Sequence, residues 1–297
     1  MQEHTDQAVN GGNVVRPSTS LILKEYAKTI LVTLVVALVI KACVLEAFRI
    51  PSGSMENTLQ IGDFLLVNKL AYGLHTPRRI PLTSISLPTV FIPWREVRRG
   101  DVVVFEFPQL EGFAATEGFD VYYIKRCVGL PGDTVALRQG RVFINGRELL
   151  FSRTVKMNGS PGSGPRTVPR GTFTEDDFGP VIVPREGQVI PLTAESAEEW
   201  RGLLQHEGQT LDTLPDGTVT LNGRQADSYM VSENYYFMLG DNRRNSMDSR
   251  FWGFVPETNL VGEALLVYWS WDPDVAWSDL GRKVESIRWG RIGMLVR

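Results

Sequence analysis

Past residue 48, no long segment of this 297-residue chain sustains a helical period, and that absence constrains the fold more than any other feature. Short runs of β-branched and aromatic residues alternate with glycine and proline: DFLLVNKLAYG, RRGDVVVFEFP, VYYIKRCVGLPGD, TVALRQGRVFINGREL, TVTLNGR, NYYFMLGDN and ALLVYWSW. Asn145-Gly146 and Asn222-Gly223 are hairpin dipeptides, because both central residues of a type I′ turn need positive φ. Pro131-Gly132-Asp133 reads as a further turn. The pattern predicts a mostly antiparallel β protein. One short helix is predicted over Thr193–Gln205 (TAESAEEWRGLLQ), with Thr193 as its N-cap. Residues 152–228 are richer in glycine, proline and polar side chains and read as an inserted lobe, with Ser160–Arg170 as a loop or flap.

The N-terminus has a different character. Thr29–Ile40 (TILVTLVVALVI) is an unbroken apolar run, too short alone for the roughly 20 residues a bilayer needs. Extension to residues 21–47 gives that length and places Lys24, Glu25, Lys28, Lys41 and Glu46 towards the ends, where lysines can snorkel. A buried core helix or a cleaved signal peptide also fits the run. Cleavage would remove the following KACVLEAFRIPSGSM, which carries chemistry. The expected organisation is a disordered cytoplasmic tail (1–20), one transmembrane helix (21–47), a β-domain (48–151 and 229–297) and an inserted lobe (152–228). Arg16, Lys24 and Lys28 precede the run, while Lys41 and Arg49 follow it. This positive-inside bias predicts a cytoplasmic N-terminus, with the β-domain of a single-pass protein on the other side of the membrane.

Composition narrows the chemistry. A net charge of −3 leaves no electrostatic footprint for nucleic acid. Cys43 and Cys127 stand in unlike surroundings and do not read as a disulfide pair. With His4, His75 and His206 they form no zinc-type cluster, and no histidine neighbours a candidate nucleophile. A hydrolase built from this chain would need a base other than histidine.

Three segments carry reactive side chains. In Ile50–Asp63 (IPSGSMENTLQIGD), Gly53 lets the backbone turn beside Ser54, although a plain helix-to-strand turn would use the same residues. In Tyr122–Asp133 (YYIKRCVGLPGD), strand alternation puts Lys125 on one face with Tyr123, Cys127 and Gly129, and Arg126 on the other. Burial there would lower the lysine pKa from about 10.4 towards the range of a general base; a solvated strand lysine is the other reading. In Gly240–Pro256 (GDNRRNSMDSRFWGFVP), the density of acids, arginines, asparagines and serines fits a turn whose polar groups satisfy one another.

Taken together and in this order behind an apolar run, the segments resemble bacterial type I signal peptidase, also called leader peptidase. The motifs are SGSM at Ser52–Met55 followed by TLQIGD, RGDVVVF at Arg99–Phe105, YIKRCVGLPGD at Tyr123–Asp133, GDNRRNSMDSRFWGFVP, and RIG at Arg291–Gly293. The resemblance covers roughly residues 42–146 and 235–297. It implies two antiparallel sheets in a coiled, barrel-like arrangement and a membrane-bound serine endopeptidase that cleaves signal peptides from secretory preproteins after Ala-X-Ala-type sites. Ser54 would be the nucleophile, Lys125 the general base and Ser246 the group that orients its amine. Ser52 and the Ser54 N–H would form the oxyanion hole. Asp241, Asp248, Arg126 and Arg250 would form structural ion pairs. Ile50, Pro51, Met55, Leu59, Tyr123 and Ile124 would line a shallow pocket for the residue before the scissile bond, and Phe48, Val104 and Ile124 the pocket two residues further back. No metal or other cofactor is implied; the partners are preproteins and the lipid bilayer. Ser54 lies about 6 to 14 residues past the ends that the apolar segment allows, near a bilayer surface.

Two departures stand out. Many relatives carry Met-Pro-Thr-Leu where this chain has Glu56-Asn57-Thr58-Leu59, and Gln109–Asp120 forms a longer loop than in some members. A self-cleaving Ser–Lys regulator would be soluble and DNA-binding, which the apolar run and net charge oppose. A relative dedicated to one substrate such as a pilin, and a catalytically inactive tethered binding domain, both share the anchor.

Overall fold

The computed structural model describes residues 19–76, 90–108, 121–150, 155–156 and 173–297. The expected tail, apart from Thr19 and Ser20, lies outside these residues, as do the Gln109–Asp120 loop and the Ser160–Arg170 flap. The chain divides into two compact units, one ending at Lys41 and one running from Ala42 to Arg297.

In the first unit, an α-helix covers Thr19–Cys43. Ile30, Leu31, Val32, Leu34, Val35, Val36 and Val39 are all exposed, so at about 100° per residue the apolar side chains occupy every face. The expected helix ran to residue 47, but Leu45–Arg49 is a strand paired with Asp63–Asn68. Among the described residues no helix is long and apolar enough to cross a membrane; the window Leu23–Lys41 includes Lys24, Glu25, Lys28 and Lys41.

The second unit is built mainly of β-strands. Its largest sheet has eight strands, ordered Leu45–Arg49, Asp63–Asn68, Leu260–Ser270, Val102–Glu106, Tyr122–Gly129, Tyr235–Leu239 and Val255–Pro256, with Met294–Leu295 also paired to Leu260–Ser270. Every pairing in it is antiparallel. Register breaks at Ala264/Leu266, Val267/Trp269 and Leu260/Gly262 mark bulges on the long strand. Bulges increase local twist, and here they curl the sheet. Val102–Glu106 and Tyr235–Leu239 are buried at every residue, which explains why they are apolar throughout except for Glu106 at a strand end.

A four-stranded sheet follows, ordered Phe178–Ile182, Thr134–Arg138, Arg141–Ile144 and Arg147–Glu148, and three smaller sheets complete the described β structure. Both predicted hairpins turn through positive φ at each central residue: 51° and 79° at Asn145-Gly146, 52° and 75° at Asn222-Gly223. The predicted helix starts later than expected, at Ala197 with Ser196 as N-cap, and ends at His206. Thr193 nevertheless caps the turn that leads into it. The Thr193 N–H donates to Ser196 Oγ at 2.9 Å and the Ser196 N–H to Thr193 Oγ1 at 3.2 Å, the reciprocal pattern of a capping box, and the Ala197 N–H reaches Thr193 O at 2.9 Å.

Asp63 pins the C-terminus to the sheet. Its fully buried carboxylate accepts from Arg291 Nη2 at 2.5 Å, Ser270 Oγ at 2.7 Å and the Gln60 N–H at 2.8 Å. Arg291 Nη2 also reaches the Thr58 carbonyl at 3.1 Å, so RIG is bonded directly to TLQIGD. Asp63→Ala should cost about 3–5 kcal/mol of unfolding free energy by denaturant titration, because it strands the half of a buried pair that remains. A loss below 1 kcal/mol would contradict this role.

Candidate active site

Residues 50–62 leave one strand and return into the next. The loop is closed at its base by Ile50 N–H to Asp63 O at 2.8 Å and Gly62 N–H to Ile50 O at 3.0 Å. Met55 and Leu59 are fully buried and pack with Ile50 and Val104 in one apolar cluster. Glu56 N–H to Gly53 O (3.0 Å) and Leu59 N–H to Met55 O (2.7 Å) tighten the segment between them. Ser54 therefore sits in a turn anchored on both sides, and it is itself buried.

Lys125 reaches that serine from the strand Tyr122–Gly129, where it pairs with Val103. Its Nζ lies 2.8 Å from Ser54 Oγ and 3.0 Å from the Ile124 carbonyl oxygen, above the Tyr123 ring at 5.3 Å. Lys125 is only 4% exposed. Burial lowers its pKa from 10.5 to about 8, against the opposing pull of Asp248 and Asp241. That shift corresponds to about 3 kcal/mol favouring the neutral amine.

Desolvation wins because each nearby carboxylate is matched by its own arginine. Asp241 takes Arg126 Nε at 2.8 Å and Nη2 at 2.6 Å. Asp248 takes Arg250 Nε at 2.8 Å and Nη2 at 2.9 Å, together with the Gly240 N–H at 3.0 Å. Burial opposes the Asp248 charge, but Arg250 and these hydrogen bonds hold its pKa below the usual carboxylate value. Arg126 Nη1 further donates to Gly100 O at 2.6 Å, and Arg250 to the carbonyls of Glu175 and Arg243 at 3.0 and 2.7 Å.

The turn at 240–243 grips the serine loop directly. The Asn242 N–H donates to Ser54 O at 3.0 Å, and its side-chain amide to Gly53 O at 3.1 Å. Thr58 Oγ1 donates to Asp241 Oδ2 at 2.5 Å. Gly240 has no room for a side chain: a Cβ would overlap Ser246 Oγ and come within 2.6 Å of Ser54 O.

The predicted site residues distribute as follows. Ser54 and Lys125 meet, and Arg126–Asp241 and Arg250–Asp248 are paired. Ser246 is buried beside Asp248, where its side chain helps to hold the Asp248 pKa down; the Lys125 amine bonds Ser54 and Ile124, not Ser246. Ser52 and Pro51 are exposed upstream of Ser54. Phe48, Ile50, Met55, Leu59, Val104 and Ile124 share one apolar cluster, with Tyr123 in the neighbouring one. Asn242, Thr58 and Glu56 escaped the sequence reading, though all three lie in the motifs quoted there. Lys156 escaped it because nothing local marks it. Tyr122 also belongs to this edge, 40% exposed and 5.3 Å from the Phe48 ring centre. Among the described residues no three His, Cys, Asp or Glu side chains gather as metal ligands. The arrangement can supply a serine oxygen whose proton passes to a neutral amine.

Residues 23–269 match a family described as signal peptidase, peptidase S26. The chain is 35% identical over 270 residues to signal peptidase I of Pseudomonas aeruginosa, covering 87% of this chain and 76% of that one. It is 34% identical over 261 residues to signal peptidase I of Pseudomonas fluorescens, covering 84% and 74%. To signal peptidase I of Haemophilus influenzae it is 32% identical over 264 residues, covering 83% and 69%.

Gly240→Ala should leave the far-UV circular dichroism unchanged and lower any turnover that uses Ser54 by about 100-fold, since the added methyl displaces Ser54 O and Ser246 together. Activity within a factor of two of the parent would remove that steric argument.

Proposed function

The chain belongs to the signal peptidase family, peptidase S26, and is a hydrolase of the signal peptidase I kind; from that premise we propose that it cuts preproteins by a Ser54–Lys125 dyad. What supports the reading above all is the 2.8 Å approach of Lys125 Nζ to Ser54 Oγ in a site that favours the neutral amine.

Neutral Lys125 takes the Ser54 hydroxyl proton as Oγ attacks the scissile carbonyl carbon. Negative charge then moves to the carbonyl oxygen, where the Ser54 N–H and the Ser52 hydroxyl stabilise it. Collapse returns the proton from the Lys125 ammonium to the leaving amine and leaves an acyl ester on Ser54. Water, deprotonated by the same lysine, hydrolyses that ester and restores both groups. Ser246, a buried hydroxyl beside Asp248, orients the Lys125 amine through this cycle. Phe48 and Ile124, only partly buried against the core that contains Ile50 and Val104, would border shallow pockets that admit alanine and exclude larger side chains, giving Ala-X-Ala selectivity. The apolar middle of the helix Thr19–Cys43, Ile30–Ile40, is too short to span alone, so as a bilayer anchor the helix would depend on Lys24, Lys28 and Lys41 extending to the interfaces. The second unit then works on the outer side of the inner membrane, where signal peptides emerge.

Purified full-length protein in detergent should cleave a preprotein bearing an Ala-X-Ala site, whereas Ser54→Ala and Lys125→Ala should not. Cleavage by Ser54→Ala at the parental rate would sink the dyad. The pH profile carries a second expectation. Protonated lysine cannot accept a proton, so kcat/KM should rise about tenfold per pH unit below the lysine pKa and level off above it, near pH 8. A profile flat from pH 6 to 9 would exclude Lys125 as base.

A further inference from the structure

We propose that Glu56 and Lys156 are positioning residues for Ser54, forming a clamp that closes on Asn242 and fixes the nucleophile turn against the turn at 240–243. The inference rests on the Ser54–Lys125 reading above and concerns how that serine is kept in reach of its base.

Glu56 stands two residues after Ser54, inside the same tight turn, where its N–H donates to Gly53 O at 3.0 Å. Its Oε2 accepts from Lys156 Nζ at 2.9 Å and from Asn242 Nδ2 at 3.1 Å. Asn242 in turn donates to Gly53 O through the same side-chain nitrogen (3.1 Å) and to Ser54 O through its backbone (3.0 Å). The Glu56 carboxylate therefore orients a side chain that bonds the backbone just before Ser54. Lys156 closes the arrangement from the other side. Its N–H donates to Asp241 O at 2.7 Å and its carbonyl accepts from the Arg243 N–H at 3.0 Å, a parallel bridge across Asn242. Three segments far apart in sequence thus meet at one carboxylate.

The clamp is separable from the fold. The Glu56 and Lys156 side chains are 46% and 36% exposed, so removing either strands no buried charge, and such pairs contribute little to stability. The Lys156 backbone keeps both its bonds to the 240–243 turn whatever its side chain. The geometry they protect is costly to lose, because a displacement of about 1 Å at reacting atoms can cost 100-fold in rate.

The test is steady-state cleavage of an Ala-X-Ala preprotein by the full chain, with thermal unfolding measured in parallel. Glu56→Ala and Lys156→Met should each lower kcat about tenfold with KM within about twofold and little change in Tm. Lys156→Arg should restore the parental kcat. The double variant should lose no more than the worse single one, since the two side chains act as one unit. Unchanged kcat in both single variants, or losses that multiply in the double variant, would overturn the clamp. A parent that cleaves no preprotein would overturn the dyad reading alone. The Lys125 amine, titrated by NMR, then decides the clamp. Glu56→Ala should move its pKa up towards the ordinary lysine value as the serine withdraws and water enters, and an unmoved titration would overturn the proposal.

Discussion

The dehydration of Lys125 is the constraint on which the rest of the site depends. A lysine whose pKa burial has lowered to about 8 cannot share its surroundings with unpaired carboxylates, yet Asp241 and Asp248 both lie within its field. Arg126 and Arg250 resolve the conflict by pairing with one acid each, in geometries that use two guanidinium nitrogens apiece. Buried ion pairs of this kind are weak sources of stability, since desolvation consumes most of the Coulomb gain. Their service here is electrostatic and geometric. They neutralise the local field and they shape the turn at 240–250 that touches Ser54.

Rigidity comes from the sheet and reactivity from the loops it holds. Lys125 belongs to a strand flanked on both sides, by Val102–Glu106 and by Tyr235–Leu239, both wholly buried. Its backbone has little freedom to move. Ser54 and Asn242 lie instead on connections, where backbone groups are free to bond across rather than along a ladder. Those connections are fastened at their bases, by Asp63 to Arg291 at one end and by Asp248 to Gly240 at the other. In the proposed dyad this makes Lys125 a rigid base and Ser54 a restrained nucleophile, which is what proximity catalysis requires.

Much of this was legible in the sequence because its causes are local. The strands announced themselves by composition, and the two Asn-Gly hairpins by a φ requirement that few other residues meet. Ser54 and Lys125 were legible as chemical types in suitable settings, and the family resemblance turned those settings into a pair. What escaped depends on contacts between distant segments. The Glu56–Lys156 bond spans 100 residues and the Asn242–Gly53 bond 189, and no periodicity or turn rule reports either. The cap at Thr193, by contrast, was legible, because its exchange of bonds with Ser196 involves only residues three apart. The N-terminal helix stopped at Cys43 because the next residues found a strand partner in Asp63–Asn68, a long-range choice that hydropathy does not register.

The departure at Asn57 acquires a physical meaning in this light. Its φ is 87°, a conformation asparagine tolerates better than most residues and proline cannot adopt, since its ring holds φ near −65°. The turn after Ser54 therefore cannot be the one that a proline at this position would impose. A proline narrows the unfolded turn and helps to specify the folded one, whereas an asparagine at positive φ gives up that restraint and adds some strain. The turn must then be held from outside. Met55 and Leu59 hold it from beneath by burial, and Thr58 ties it to Asp241. On the exposed side, the Glu56 carboxylate, next to Asn57, joins it to Asn242 and Lys156. The loss of one backbone restraint and the presence of a side-chain clamp at the adjacent residue are thus two aspects of one solution to keeping Ser54 within reach of Lys125.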